Sequence, residues 1–195
     1  MDFSQIQGAI PPERYYEACI THHLVRLAEM RGRRLYPFSI SQLREKACGF
    51  DFGYACRHGA VFLAQYKRPG RVADGIWRWE INEAQFWALA SWRVQVYYVL
   101  PAFSAVQDWY DGLDRTSFLP VDVMRDWVRA HNGQRTMRLL QSDPLLRLER
   151  PVAALFGTAL NRAQTQAAAE MALEIRCGTS AEEDGLTGYW VEESR

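Results

Sequence analysis

The run Val61-Phe62-Leu63-Ala64-Gln65-Tyr66-Lys67 constrains the fold most, because its β-branched and aromatic content demands a strand that carries polar residues on one face. Period two places Val61, Leu63, Gln65 and Lys67 together. The preceding run from Cys48 through Gly49, Phe50, Asp51 and Phe52 to Cys56 is also strand-like, and Arg57-His58-Gly59 is a short turn containing glycine, so the spacing predicts a hairpin. Folding the chain about His58 sets Asp51 opposite Gln65, or opposite Lys67 if the register moves by a residue or two. All three polar groups then converge on one end of the hairpin.

A helix is predicted from Glu13 to Arg31, with Pro11-Pro12 before it and Gly32 after it. Its apolar residues Ile20, Leu24, Leu27 and Ala28 recur at three and four. At about 100° per residue, Glu17 falls in the middle of that stripe and faces the core. A carboxylate there requires a cation or a donor, because burying it alone costs several kcal/mol.

Asp51 and Glu17 supply the charge that a Mg²⁺ or Mn²⁺ site takes from one or two carboxylates. The Gln65 amide oxygen is then a neutral third ligand or a partner for a metal-bound water. Lys67 is placed to position an attacking water and help lower its pKa, a role suited to lysine because its own pKa shifts readily on burial. Of the 23 basic residues only two are lysine, Lys46 and Lys67. Each residue also has a plainer reading: Asp51 completing a turn or pairing with an arginine, and Lys67-Arg68-Pro69 as a solvated strand end.

The helix glutamate, Gly49-Phe50-Asp51, Gln65-Tyr66-Lys67-Arg68-Pro69 and a following strand and helix carrying Gln85 together resemble the PD-(D/E)XK nuclease superfamily. The Gln-x-Lys form is similar to that of methyl-directed restriction endonucleases. The resemblance spans roughly residues 13 to 103. It implies an α/β fold with a restriction-endonuclease-like core, a mixed β-sheet flanked by helices. It further implies Mg²⁺-dependent hydrolysis of DNA phosphodiesters, with Asp51 as metal ligand, Lys67 activating water and Glu17 as accessory acid, and a role in defence against foreign DNA. Phe50 stands where the family carries proline, and Gln65 where it more often carries an acid. That glutamine also permits another reading, a nuclease fold that binds nucleic acid or a partner protein without cutting.

Charge distribution bears on the partner. The formal net charge is zero, yet residues 1 to 71 carry a balance of +5, residues 72 to 175 of −2 and the last twenty of −3. The half with the proposed site is the basic one, and Arg31, Arg33, Arg34, Lys67, Arg68 and Arg71 are candidates for phosphate contacts with DNA, or with RNA. Gln85 is a further candidate, although its place in Asn82-Glu83-Ala84-Gln85 reads equally as a capping box.

At 195 residues with 48% hydrophobic content the chain can bury a real core. A single domain is expected over 1–178, with the core at about 13–103, a mixed extension at about 104–178 and an acidic mobile tail at 179–195. No secretory or membrane-spanning run stands out, and the cysteines at 19, 48, 56 and 177 lack CxxC spacing, so a soluble cytoplasmic protein with free thiols and no membrane partner is expected. Partnership with a second copy or with another protein stays open. Ile76–Ile81 and Val94–Leu100 read as strands, the latter buried, and Asn82 opens a helix to about Trp92. Val121–Ala130 reads as helix, Phe118–Leu119 and Arg138–Leu140 as short strands, and Asn161–Arg176 as an alanine-rich helix. Most of the seven tryptophans are expected in the core, with one or two available to stack on bases.

Overall fold

The computed structural model describes residues 10–40, 47–56, 61–72, 75–131 and 133–155. The expected turn at Arg57-His58-Gly59, the helix at Asn161–Arg176 and the acidic tail lie outside them.

Helix α1 spans Glu13–Met30. Pro12 precedes it with φ fixed at −66°, and Gly32 follows it at φ +68°, a left-handed turn that suits glycine. Its buried face is Tyr16, Cys19, Ile20, Leu24 and Ala28. Leu27 is only half-buried, because the stripe is centred one position earlier than the leucine spacing suggests.

The main sheet has five strands in the order β1-β2-β3-β6-β7. These are β1 (Leu35–Ser39), β2 (Phe52–Cys56), β3 (Val61–Tyr66), β6 (Gln95–Pro101) and β7 (Thr116–Pro120). β1, β2 and β3 form an antiparallel meander, β3 runs parallel to β6, and β6 is antiparallel to β7. The parallel step requires a crossover, which contains β4 (Gly70–Arg71), β5 (Trp77–Asn82) and helix α2 (Glu83–Ala90). After β7, a 3-10 turn at Asp122–Met124 leads into helix α3 (Arg125–Ala130) and then β8 (Thr136–Leu140). A second sheet pairs β4, β5 and β8, all antiparallel. The described residues end on a 3-10 turn at Pro144–Leu148 and helix α4 (Val152–Leu155).

The sheet is covered on both faces. Tyr54, Phe62, Ala64, Tyr66, Tyr97 and Val99 pack beneath α1. Leu63, Val96, Tyr98 and Leu100 face Phe86 and Leu89 of α2 and the Trp77, Trp79 and Ile81 side of the second sheet. Trp79 is buried and its indole N–H donates to Pro101 O at 2.9 Å, so the polar atom of this large core side chain is satisfied. Trp87, by contrast, is exposed.

Several expected boundaries move. The strand predicted from Cys48 begins only at Phe52: Gly49 has φ +82° and a Cβ there would lie 3.1 Å from Gln85 O, so the chain turns tightly against α2 before entering the sheet. Helix α2 stops at Ala90, short of Trp92. The first turn of the helix expected from Val121 is 3-10. Residues beyond 103 supply β7 to the main sheet and β8 to the second. No described helix is long and apolar enough to cross a membrane.

Candidate functional site

The hairpin register is Phe52↔Ala64 and Gly53↔Leu63, which carries Asp51 opposite Gln65, as folding about His58 predicts. Asp51 N donates to Ala64 O at 3.0 Å and holds the residue at the mouth of β2. Its Oδ2 accepts from Gln65 Nε2 at 2.7 Å and from Tyr66 N at 2.6 Å, and the residue is only 7% exposed.

Glu17 does not lie mid-core as expected. It is half-buried at the edge of the α1 stripe, and this lets its carboxylate reach the hairpin. Glu13, four residues earlier on the same helix face, stands with it. One oxygen each from Glu13, Glu17 and Asp51 lie within 4.8 Å of one another. Glu13 was not among the sequence candidates; its signal was the i, i+4 spacing to Glu17. Its Oε2 also accepts from Arg68 N at 2.8 Å.

Gln65 is 1% exposed. Its Nε2 donates to Asp51 and, at 3.0 Å, to Tyr66 O, which fixes the amide orientation and leaves Oε1 with no hydrogen-bond partner among the described residues. A buried orphan acceptor costs about 1–3 kcal/mol. The hydroxyl of Tyr98, the β6 residue paired with Gln65, is buried without a partner in the same way. Lys67 shares the Gln65 side of β3; its Nζ donates to Gln85 Oε1 at 2.6 Å and lies 5.8 Å from the Tyr98 ring centroid. Gln85 therefore reaches the site with its side chain, while its backbone N–H donates to Asn82 Oδ1 and completes one half of the expected capping box.

Behind the carboxylates, Thr21, one turn beyond Glu17, clamps the hairpin. Its hydroxyl lies 2.6 Å from Tyr54 OH and 3.3 Å from Tyr66 OH, and the two phenols are 2.5 Å apart. Burial raises the pKa of Tyr54, and the charges of Glu17 and Asp51 raise it further. Tyr98 is raised by burial first and then by Asp51. The negative charge is thus felt on both faces of the sheet.

The arginines divide. Arg33 and Arg34 follow the C-terminus of α1, about 20 Å of helix from Glu17, and so stand apart from the carboxylates. Arg68 Nη2 donates to Ile10 O at 2.5 Å, and Arg71 lies 4.6 Å over the Trp77 ring while donating to Ser104 Oγ at 3.2 Å. An open cleft of about 480 Å³ adjoins this region, with Glu13 and Lys67 on one side and Arg78, Asn82 and Thr136 on the other.

Three hard oxygen donors and one unpartnered buried amide oxygen suit a small divalent ion better than a soft metal. The chain matches no protein-family model, no curated protein and no solved structure.

Proposed function

We propose that the chain is a metal-dependent nuclease of the restriction-endonuclease type, hydrolysing DNA phosphodiesters with Mg²⁺ or Mn²⁺. The observation that carries this reading is the convergence of Glu13, Glu17 and Asp51 beside a buried, unpartnered Gln65 Oε1, two residues before Lys67. The helix, mixed sheet and flanking helix around these residues support it as the restriction-endonuclease-like core.

Asp51, Glu17 and Glu13 would hold the ion. An ion held there would supply Lewis acidity to a phosphoryl oxygen and would lower the pKa of a water. Gln65 Nε2 and Tyr66 N hold the Asp51 carboxylate in one orientation. Lys67, steadied by Gln85, orients the attacking water and stabilises negative charge that develops on it.

The second reading, a nuclease fold that binds without cutting, is favoured by the neutral Gln65. Calorimetric titration of Mn²⁺ followed by incubation with plasmid separates the two. Ion binding weakened about tenfold or more by Asp51→Asn, together with plasmid cleavage, supports the nuclease. Nucleic-acid binding with neither ion binding nor cleavage overturns it in favour of the binder.

A further inference from the structure

The cleft wall facing the hairpin comes from the second sheet. Along β5, Trp77, Trp79 and Ile81 are buried, so Arg78, Glu80 and Asn82 project to the opposite side, where all three line the cleft with Thr136, the register partner of Asn82. Among the cations of the cleft, Lys67 is held by Gln85 and Arg68 by Ile10 O. Arg78 differs: its guanidinium makes no hydrogen bond or ion pair to another described residue. Its position is nevertheless built. The residue opposite it is Gly70, and a Cβ there would come within 3.1 Å of Arg78 Nε and 3.2 Å of Cγ, so the side chain lies flat across the glycine.

An oriented guanidinium whose donors no described residue takes is suited to a phosphate, which it engages through two parallel hydrogen bonds. The cleft volume, about 480 Å³, is that of a small-ligand pocket and takes a nucleotide or two of one strand, whereas a duplex would have to lie across its mouth. We infer that this cleft seats a single nucleic-acid strand, with Arg78 on a backbone phosphate and Asn82 and Thr136 bonding to sugar or base, and so leads that strand to the carboxylates at Glu13. Asn82 Oδ1 caps α2, which leaves its amide N–H₂ for the strand. Glu80, opposite Arg138 in the ladder, repels a phosphate and confines the backbone to the Arg78 side. The position of the strand relative to the reacting bond rests on the nuclease reading; its binding does not.

The test is fluorescence anisotropy of a labelled twelve-residue oligothymidylate and of a duplex of equal length, in EDTA so that no cleavage intervenes. The single strand is expected to bind the more tightly. Arg78→Ala should weaken it about tenfold and reduce the salt dependence by roughly one phosphate contact. Arg78→Lys, which keeps the charge without the fork, should fall between. Gly70→Val, which displaces the arginine, should weaken binding like Arg78→Ala, with the melting temperature of Arg78→Ala as the control for folding. Unchanged affinity in Arg78→Ala, a preference for duplex or no binding by the natural chain overturns the inference. Arg78-dependent binding of a strand that Mn²⁺ never causes to be cut upholds it and overturns the nuclease reading; cleavage in Mn²⁺ indifferent to Arg78 does the reverse.

Discussion

Lys67 Nζ donates to Gln85 Oε1 at 2.6 Å, so the lysine just past the end of β3 is held by the first turn of the helix that follows β5. Two predictions follow from that bond under the nuclease reading. Lys67→Ala should leave the fold intact and reduce plasmid cleavage about 10²-fold or more. Gln85→Ala should leave the charge but release its position, with a smaller loss of about tenfold. Equal rates in Gln85→Ala and the natural chain would show that the bond plays no part in cleavage.

Asp51→Asn should weaken Mn²⁺ binding about tenfold or more, because it removes one charge from a three-carboxylate cluster. Without ion its melting temperature should hold or rise, since repulsion with Glu13 and Glu17 is relieved. Calorimetry and thermal melting in EDTA check the two halves.

Gln65→Glu is informative because Gln65 Nε2 is a donor to Asp51 at 2.7 Å. Glutamate replaces that donor with an acceptor and sets two oxygens against each other. The variant should be destabilised by roughly 1–3 kcal/mol in EDTA, and Mn²⁺ should raise its melting temperature more than that of the natural chain. A variant as stable as the natural chain without ion would contradict the assigned amide orientation.

The buried tyrosines set the alkaline limit of stability. Burial raises the pKa of Tyr16, Tyr54, Tyr66 and Tyr98 above the ordinary 10.0. Below pH 10 both states keep the protons; above it the unfolded chain releases them and the native state does not, so stability falls as pH rises. Urea midpoints should decline between about pH 9 and 11, less steeply in the Tyr54→Phe, Tyr66→Phe double variant.

Cys19 is fully buried, its thiol donates to Trp109 O at 3.3 Å, and burial pushes its pKa up to about 11. Near pH 8 about one thiol in a thousand is then ionised. Timed alkylation with mass mapping should find Cys19 modified after the half-buried Cys48 and Cys56, and only on unfolding.

Much of the hairpin was legible because its information is local. Turn position and period two together narrow the facing of the two strands to a register of one or two residues, so Asp51 could be set near Gln65 or Lys67 from the sequence, and the register Phe52↔Ala64 selects Gln65. The α1 boundaries were legible for the same reason, from Pro12 and Gly32. The depth of Glu17 was not, since a rotation of one residue separates the centre of a stripe from its edge. Glu13 was overlooked because the first turn of a helix attracts acids for its dipole alone. The strands at Ile76–Ile81 and Arg138–Leu140 were each recognisable, but nothing in either segment announces that they pair with each other. The engaged state of Arg68 and Arg71 likewise depends on Ile10 O, Trp77 and Ser104, contacts that only the folded chain reveals.

The pairing of β5 with β8 makes one cleft wall from two stretches far apart in the gene. Asn82 sits opposite Thr136 and Glu80 opposite Arg138. A change that enlarges or recharges one stretch is therefore presented to its counterpart, and the two should drift in step among descendants of this sequence. The carboxylate hairpin and α1 are encoded elsewhere and are free to stay constant meanwhile. Grafting residues 70–82 without 136–140 would transplant half a surface.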